Sequence, residues 1–316
     1  MNLSTIAKRS KSAAGSAWRP AWKTAKWLLK ITIPVSFVVF LLNFTGVLQL
    51  LAEATNPFFS LLGLPSQTAL VLITSMLTNI YSVIAVISML GLPVREGLIL
   101  AVMCLISHGF IIESAVLQKT GSSIVRMLFL RFLSSLVAGV VLGLFLPEFP
   151  GVVKGGLPHT VLPFGEAVTA WMLLMARMSL KIIVLITLLM VLQRMMEEFG
   201  LLKLLSRWLG PFMRLLGLVP EATLSWLVAN AIGLAYGSAI ILDEVEKGRL
   251  SRREADLLNH HTAISHSQLE DPILFFAIGL PMWWLIWPRF LLAVIAVWLR
   301  RAELYLTNRM KTQPKG

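Results

Sequence analysis

Cysteine is all but absent from this sequence: Cys104 stands alone among 316 residues. A lone thiol cannot build the disulfide framework of a small secreted domain, and it leaves no CxxC pair for a thiolate metal site. Charge is scarce as well. Asp, Glu, Lys and Arg supply 14% of the chain, against roughly a quarter in soluble proteins, which excludes a soluble enzyme and a disordered chain. Acids are the scarcer sign, 16 against 28 Lys plus Arg. The formal charge of +12 would suit a nucleic-acid binder. The cations, however, gather at the edges of apolar runs, so no nucleic acid is expected as a partner. Also missing are HExxH, a phosphate loop and any nucleophile–base–orienter set, so neither an enzyme nor a cofactor is expected.

What is present is apolar sequence. Hydrophobic residues make up 57% of the chain and the mean hydropathy is +0.78. A transmembrane helix needs about 20 mostly apolar residues. Candidate segments lie near 31–52, 67–90, 97–117, 126–146, 168–198, 222–242, 255–278 and 282–300. Residues 1–30 carry Lys8, Arg9, Lys11, Arg19, Lys23, Lys26 and Lys30 and no acid. That is too basic for a span. Trp18 and Trp22, four apart among these cations, fit a short helix in the headgroup region, with a basic cytoplasmic tail as the plain alternative. No small-residue cleavage site follows the first apolar run, so an uncleaved anchor is expected.

The chain repeats itself. At an offset of 154, Gly46 matches Gly200, Pro57-Phe58 matches Pro211-Phe212, and Leu61-Leu62-Gly63-Leu64 matches Leu215-Leu216-Gly217-Leu218. At 155, Thr68 matches Thr223 and Tyr81 matches Tyr236. At 158, Arg95-Glu96 matches Arg253-Glu254, Ile106-Ser107-His108 matches Ile264-Ser265-His266, and Arg131-Phe132-Leu133 matches Arg289-Phe290-Leu291. Matches of Ser-His and Arg-Phe, kept in order, mark a duplication, a frequent feature of secondary transporters whose site lies between the repeats. A duplicated scaffold without transport is the bland alternative. The boundaries that follow are a basic N-terminal segment 1–30, a first repeat 31–146, an external linker 147–167, a second repeat 168–300 and a basic cytoplasmic tail 301–316.

Charge placement bears on topology, because Lys and Arg favour the cytoplasm. If every segment spans, the repeats are parallel, and Lys119, Arg126, Arg194, Lys203, Arg207 and Arg214 fall outside. If 67–90 and 222–242 dip in and return, the repeats are inverted, and only Arg95, Lys154, Arg177 and Lys181 do. The expected fold is therefore an all-α polytopic membrane protein with two inverted repeats, each of three transmembrane helices plus a re-entrant hairpin. Residues 228–239 (VANAIGLAYGSA) and 74–82 (TSMLTNIYS) agree, since broken backbone at membrane depth survives where protein or water satisfies it. Close helix packing by small residues is the alternative.

The most polar apolar-flanked stretch is 259–271, NHHTAISHSQLED. Lipid cannot face it, and ionisable residues in a span mark ion or substrate paths. Asn259, Thr262, His266 and Glu270 would share one helical face, and Pro272 should kink the helix. The first repeat carries a thinner version in Ser107, His108 and Glu113. With inverted repeats the two Ser-His pairs would meet near the bilayer centre, with Asn79 and Asn230 of the hairpins as partners. The candidate substrate-binding residues are thus Asn79, Ser107, His108, Glu113, Asn230, Ser265, His266, Gln268, Glu270 and Asp271. As metal ligands, His266 and Glu270 are the candidates, four apart. As proton carriers, the histidines titrate near about 6.5 and would make flux pH-dependent. As a substrate site, Asn, Gln, His and Ser offer donors and acceptors for a sugar or base edge. A purely structural polar network remains the fourth option. Arg131 and Arg289 either snorkel and stack on aromatics or pair with Glu113 or Asp271. His108→Ala and His266→Ala should each impair activity and His159→Ala, in the external loop, should not; His260 and His261 read as solvated or capping residues.

The NAIGLAYGSA segment followed by HTAISHSQLED, in a duplicated chain, resembles the nucleoside recognition (Gate) domain family. That family includes spore-maturation membrane proteins A and B. It is similar to the membrane core of ferrous-iron transporter B and, more distantly, to concentrative nucleoside transporters. The resemblance covers roughly residues 30–300. It implies hairpin tips around Asn79 and Asn230 and broken helices bearing His108 and His266. It also implies a small nucleoside-like solute, or a divalent metal ion, as substrate, in a bacterial cytoplasmic (inner) membrane with both termini cytoplasmic. The chain carries no attached GTPase, and its short basic N-terminal region stands where the iron transporters have further helices. The lipid bilayer is a partner, and association between copies of the chain into a homo-oligomer is left open.

Overall fold

The computed structural model describes residues 3–47, 50, 64, 68–154 and 163–312. Among the described residues there are thirteen α-helices, a 3-10 turn at Pro220–Ala222 and no strand beyond a single bridge between Pro93 and Val152. The protein is an all-α membrane protein. Among the described residues, four helical stretches are long and apolar enough to cross a bilayer: Val94–Lys119, Ile124–Phe145, Phe164–Glu198 and Met282–Thr307.

The first half contains α1 (Leu3–Phe44), α2 (Thr68–Leu77), α3 (Ile80–Leu90), α4 (Val94–Ser107), α5 (Phe110–Lys119) and α6 (Ile124–Phe145). The second contains α7 (Phe164–Glu198), α8 (Leu201–Met213), α9 (Thr223–Ala231), α10 (Leu234–Glu246), α11 (Arg252–Ile264), α12 (Glu270–Phe276) and α13 (Met282–Thr312). The sequence reading separates residues 1–30 from the first span. The structure instead runs one 42-residue helix through both, without a break at Pro20 or Pro34. At 1.5 Å per residue α1 is about 60 Å long, twice the hydrocarbon thickness of about 30 Å. Ala13, Ala17, Ala21 and Ala25 form a buried strip at every fourth position, and small residues let helix backbones approach closely. Along α7, Arg9 meets Glu198 at 2.7 Å, the Trp171 Nε1–H donates to Ser36 Oγ at 3.0 Å, and Phe44 meets Phe164. The two helices, which correspond in the duplication, are therefore antiparallel. The same holds for α6 and α13, where Arg126 pairs with Glu303 at 2.6 Å while Val137 and Leu292 share a groove with them.

The core centres on α4. Every residue from Leu98 through Ser107 is buried, as expected of a helix that is apolar all round. Both segments expected to dip into the membrane are broken. Asn79 caps α3 by accepting from the backbone N–H groups of Tyr81 and Ser82. Gly233 (φ 122°) starts α10. A Cβ on Gly237 would lie 2.4 Å from the Cβ of Ala229. Eight residues of one continuous helix would be about 12 Å apart, so α9 and α10 fold back on each other.

The segments 97–117 and 255–278 are also broken. α4 yields to α5 at His108-Gly109, where Gly109 has φ 52°, and α11 yields to α12 through Ser265–Leu269, where Ser267 has φ 50°. The kink expected at Pro272 is not where the chain breaks. Pro272 is the third residue of α12, in the first turn, where a missing N–H costs nothing because it has no intrahelical partner. At the far end of α11 a capping box forms: Ser251 Oγ accepts from the Glu254 N–H and the Glu254 carboxylate accepts from the Ser251 N–H. The described part of the 147–167 linker joins the halves, with the N–H groups of Val153 and Lys154 donating to the Leu92 and Ile278 carbonyls.

Candidate functional site

The two breaks are built alike. The Gly109 N–H donates to the Ser75 carbonyl at 3.0 Å, and the Ser267 N–H donates to the Ala229 carbonyl at 3.0 Å. Gly109 and Ser267 correspond at the 158 offset, Ser75 and Ala229 at 154. The ends of α2 and α9 thus satisfy the backbone opened by each break, as hydrocarbon cannot. The carbonyls left at the ends of α4 and α11 are taken by arginines. Arg131 donates to the carbonyls of Ile106, His108 and Phe110, and Arg289 to those of Ile264 and His266. Both arginines are completely buried, so neither snorkels. A guanidinium at a helix C-terminus also complements the helix dipole.

Where the breaks face each other, side chains of both halves interlock. His108 and His266 lie with ring centroids 5.2 Å apart. Glu113 takes His108 Nε2 at 3.1 Å on one oxygen, and Arg131 Nη2 at 2.6 Å with His266 Nε2 at 3.4 Å on the other. Asp271 occupies the position corresponding to Glu113 and stands 3.9 Å from His108 Nε2. Each half therefore contributes a histidine, a carboxylate and an arginine, and each carboxylate faces the other half's histidine. The halves are unequal in how well they are satisfied. His266 Nε2, Asp271 Oδ2 and Arg289 Nη1 are buried without a hydrogen-bond partner. A Cβ on Gly109 would lie 3.3–3.4 Å from Glu113 side-chain atoms, so a glycine there also keeps room for that carboxylate.

The tautomers are set by the same helices. His108 Nδ1 faces the Cys104 carbonyl at 3.1 Å and His266 Nδ1 the Thr262 carbonyl at 2.8 Å. A carbonyl only accepts, so both Nδ1 atoms carry a hydrogen, and both Nε2 atoms turn toward Glu113.

The other candidates distribute around this cluster. Glu270 accepts from the Tyr81 hydroxyl of α3. The break at 265–269 takes it off the His266 face, and among the described residues the group that could hold a metal ion is His108, Glu113 and His266. Gln268 Nε2 donates to Ser265 Oγ at 2.7 Å, Ser265 Oγ to Asn230 Oδ1 at 3.4 Å, and Asn230 Nδ2 to the Trp226 carbonyl. Ser107 Oγ donates back to Met103 in its own helix and Asn79 serves as a cap, so neither reaches the cluster through a hydrogen bond. Asn259 faces a separate polar network, accepting from Thr120 at 3.0 Å and donating to Ser122 Oγ at 2.9 Å, while Ser122 donates to Asp256 at 2.7 Å. His260 and His261 are buried, not solvated: His260 Nδ1 meets the Asp256 carbonyl and His261 Nδ1 accepts from Trp226 Nε1–H. His159 falls outside the described residues. Tyr81 escaped the sequence reading as a partner of Glu270, although its match to Tyr236 at offset 155 marked the position.

Comparison with known proteins gives two matches. The nucleoside recognition (Gate) family matches residues 179–266, ending on His266. The uncharacterized membrane protein YvoD of Bacillus subtilis (strain 168) is 31% identical over 281 residues, covering 85% of this chain and 88% of its own length. No solved structure matches.

Proposed function

This chain belongs to the membrane-protein family of Bacillus subtilis YvoD and carries a nucleoside recognition (Gate) domain, and from that premise we propose that it is a transporter. It moves a small polar solute, nucleoside-like, or an ion by alternating access around a site between its two halves. One observation carries this reading: corresponding histidine, carboxylate and arginine side chains from both halves interlock at two facing helix breaks. Broken helices meeting between repeats are how secondary transporters build midplane sites, and ionisable groups at that depth mark solute paths. The antiparallel packing of α1 with α7 and of α6 with α13 supports an inverted orientation of repeats 31–146 and 168–300. His108, Glu113, His266 and Asp271 form the centre of the site, with Asn230, Ser265 and Gln268 beside it and Glu270 held at its edge by Tyr81. The membrane is the bacterial cytoplasmic membrane, with both termini in the cytoplasm, as the basic 1–30 and 301–316 segments favour.

A non-transporting scaffold on the same fold is the competing reading, favoured by the cross-half network of Thr120, Ser122, Asp256 and Asn259. Proteoliposomes offered a panel of nucleosides and divalent metals, with and without a pH gradient, separate the two. Saturable flux that is lost in His108→Ala and His266→Ala is expected. Absence of flux for every solute, from monodisperse protein, would overturn transport in favour of the scaffold.

A further inference from the structure

The strongest unspent chemistry is the set of unpartnered atoms at the interlocked cluster. Both imidazoles donate Nδ1–H to a helix carbonyl. That bond is the one metal-ligating histidines usually make, and it leaves Nε2 to face an ion. Here two Nε2 atoms converge on one carboxylate, an arrangement that a proton on an imidazole or a bound cation would hold together.

The spacing suits one. Around a tetrahedral ion with ligands at about 2.0–2.2 Å, donor atoms stand roughly 3.3–3.6 Å apart. His108 Nε2 to Glu113 is 3.1 Å, His266 Nε2 to Glu113 is 3.4 Å and His108 Nε2 to Asp271 is 3.9 Å. One donor atom each from His108, Glu113 and His266 lies within 4.8 Å of the other two. Asp271 Oδ2, buried and unpartnered, and His266 Nε2, likewise, are the atoms an ion would satisfy. Two neutral imidazoles and two carboxylates neutralise a dication. Arg131 and Arg289 keep their positive charge beside it, offset in part by the helix-end carbonyls to which each donates. Arg131 also holds one Glu113 oxygen, the kind of support that ligating carboxylates usually have.

We propose that His108, Glu113, His266 and Asp271 bind one divalent transition-metal cation, and that this ion is the cargo. The cargo role rests on the transport reading above; the binding does not. Imidazole and carboxylate without sulfur select ions such as Zn²⁺, Fe²⁺ or Co²⁺ over soft Cu⁺ and over all-oxygen Mg²⁺ or Ca²⁺ sites. Each half supplies one histidine and one carboxylate, so the site is complete only while the two breaks face each other. Relative movement of the halves would take it apart, which is the release step an ion carrier needs.

The test starts with detergent-purified full-length protein freed of any polyhistidine tag. Co²⁺ is titrated by its d–d absorption and Zn²⁺ by calorimetry. One saturable site per chain is expected, with the absorption of a low-symmetry four-coordinate ion. His266→Ala and the isosteric Asp271→Asn should each weaken it by about tenfold or more, while His260→Gln, a buried histidine outside the cluster, should not. Asp271→Asn keeps the test decisive if His266→Ala does not fold, and monodispersity is measured beside binding. Folded protein that binds neither ion, or binds both unchanged in the two cluster variants, overturns the metal site. Proteoliposomes holding a metal-sensitive dye then test the cargo role. Influx of Zn²⁺ lost in Asp271→Asn supports it. Binding without influx overturns the cargo role. Flux of another solute by protein that binds no metal overturns the metal proposal and leaves transport standing.

Discussion

Arg131 and Arg289 do the same work in the two halves of the chain. Each donates Nε to the carbonyl 25 residues before it and Nη2 to the carbonyl 23 residues before it. They part company over the carboxylate. Arg131 Nη2 also holds Glu113 at 2.6 Å, whereas Arg289 Nη1 is buried without a partner. Arg131→Ala should therefore cost more, about 2–4 kcal/mol, because it also takes an ion-pair partner from the half-buried Glu113. Arg289→Ala strands carbonyls only and should cost about 1–3 kcal/mol. Thermal unfolding of both variants in detergent checks the ranking, and equal losses would contradict it.

The fold-back of α9 onto α10 depends on a glycine. Gly237→Ala would put a Cβ 2.4 Å from one of its neighbours and 2.6 Å from a backbone atom, both in Ala229. Forcing the helices apart should destabilise the protein by about 1–3 kcal/mol. Gly15, inside α1 with nothing within 4 Å of its would-be Cβ, is the control. Gly15→Ala should be neutral or stabilising by up to about 1 kcal/mol. Melting curves that rank the two the other way would refute the close approach.

Tyr81 and Glu270 join the first half's hairpin to the second half's broken helix. A double-mutant cycle with Tyr81→Phe and Glu270→Gln should show coupling of about 1–3 kcal/mol. Additive effects on stability would mean the hydroxyl and carboxylate do not interact in the folded protein.

The proposed inverted orientation of the repeats has a direct labelling test. Single cysteines at Ser206 and Ser251, in a background without Cys104, are exposed to an impermeant thiol reagent. Both should be protected from outside and labelled from inside. Labelling of Ser206 alone from outside would make residues 222–242 a true crossing and the repeats parallel.

How much of this was legible beforehand follows from what each signal encodes. Scarce charge and long apolar runs are local quantities, and they suffice to make the chain an all-α membrane protein. The ordered matches of Ser-His and Arg-Phe at one offset have a local counterpart in the structure: Arg131 and Arg289 bond to corresponding carbonyls. Helical periodicity was less reliable where the helix stops. It placed Glu270 on one face with His266, but α11 ends at Ile264, and the break turns Glu270 to Tyr81. It also put the kink at Pro272, which sits harmlessly in a first turn.

What the sequence by itself determined is the solvent this protein lives in, its duplication and the polar stretch that cannot face lipid. Each is a property of residues close together along the chain. Only the tertiary structure decided that Glu113 stands between His108 and His266, that Asp271 Oδ2 is left without a hydrogen bond, and that basic residues 3–30 continue the first helix. Those outcomes depend on which surfaces pack across separations of more than 150 residues, where neither spacing nor propensity carries information.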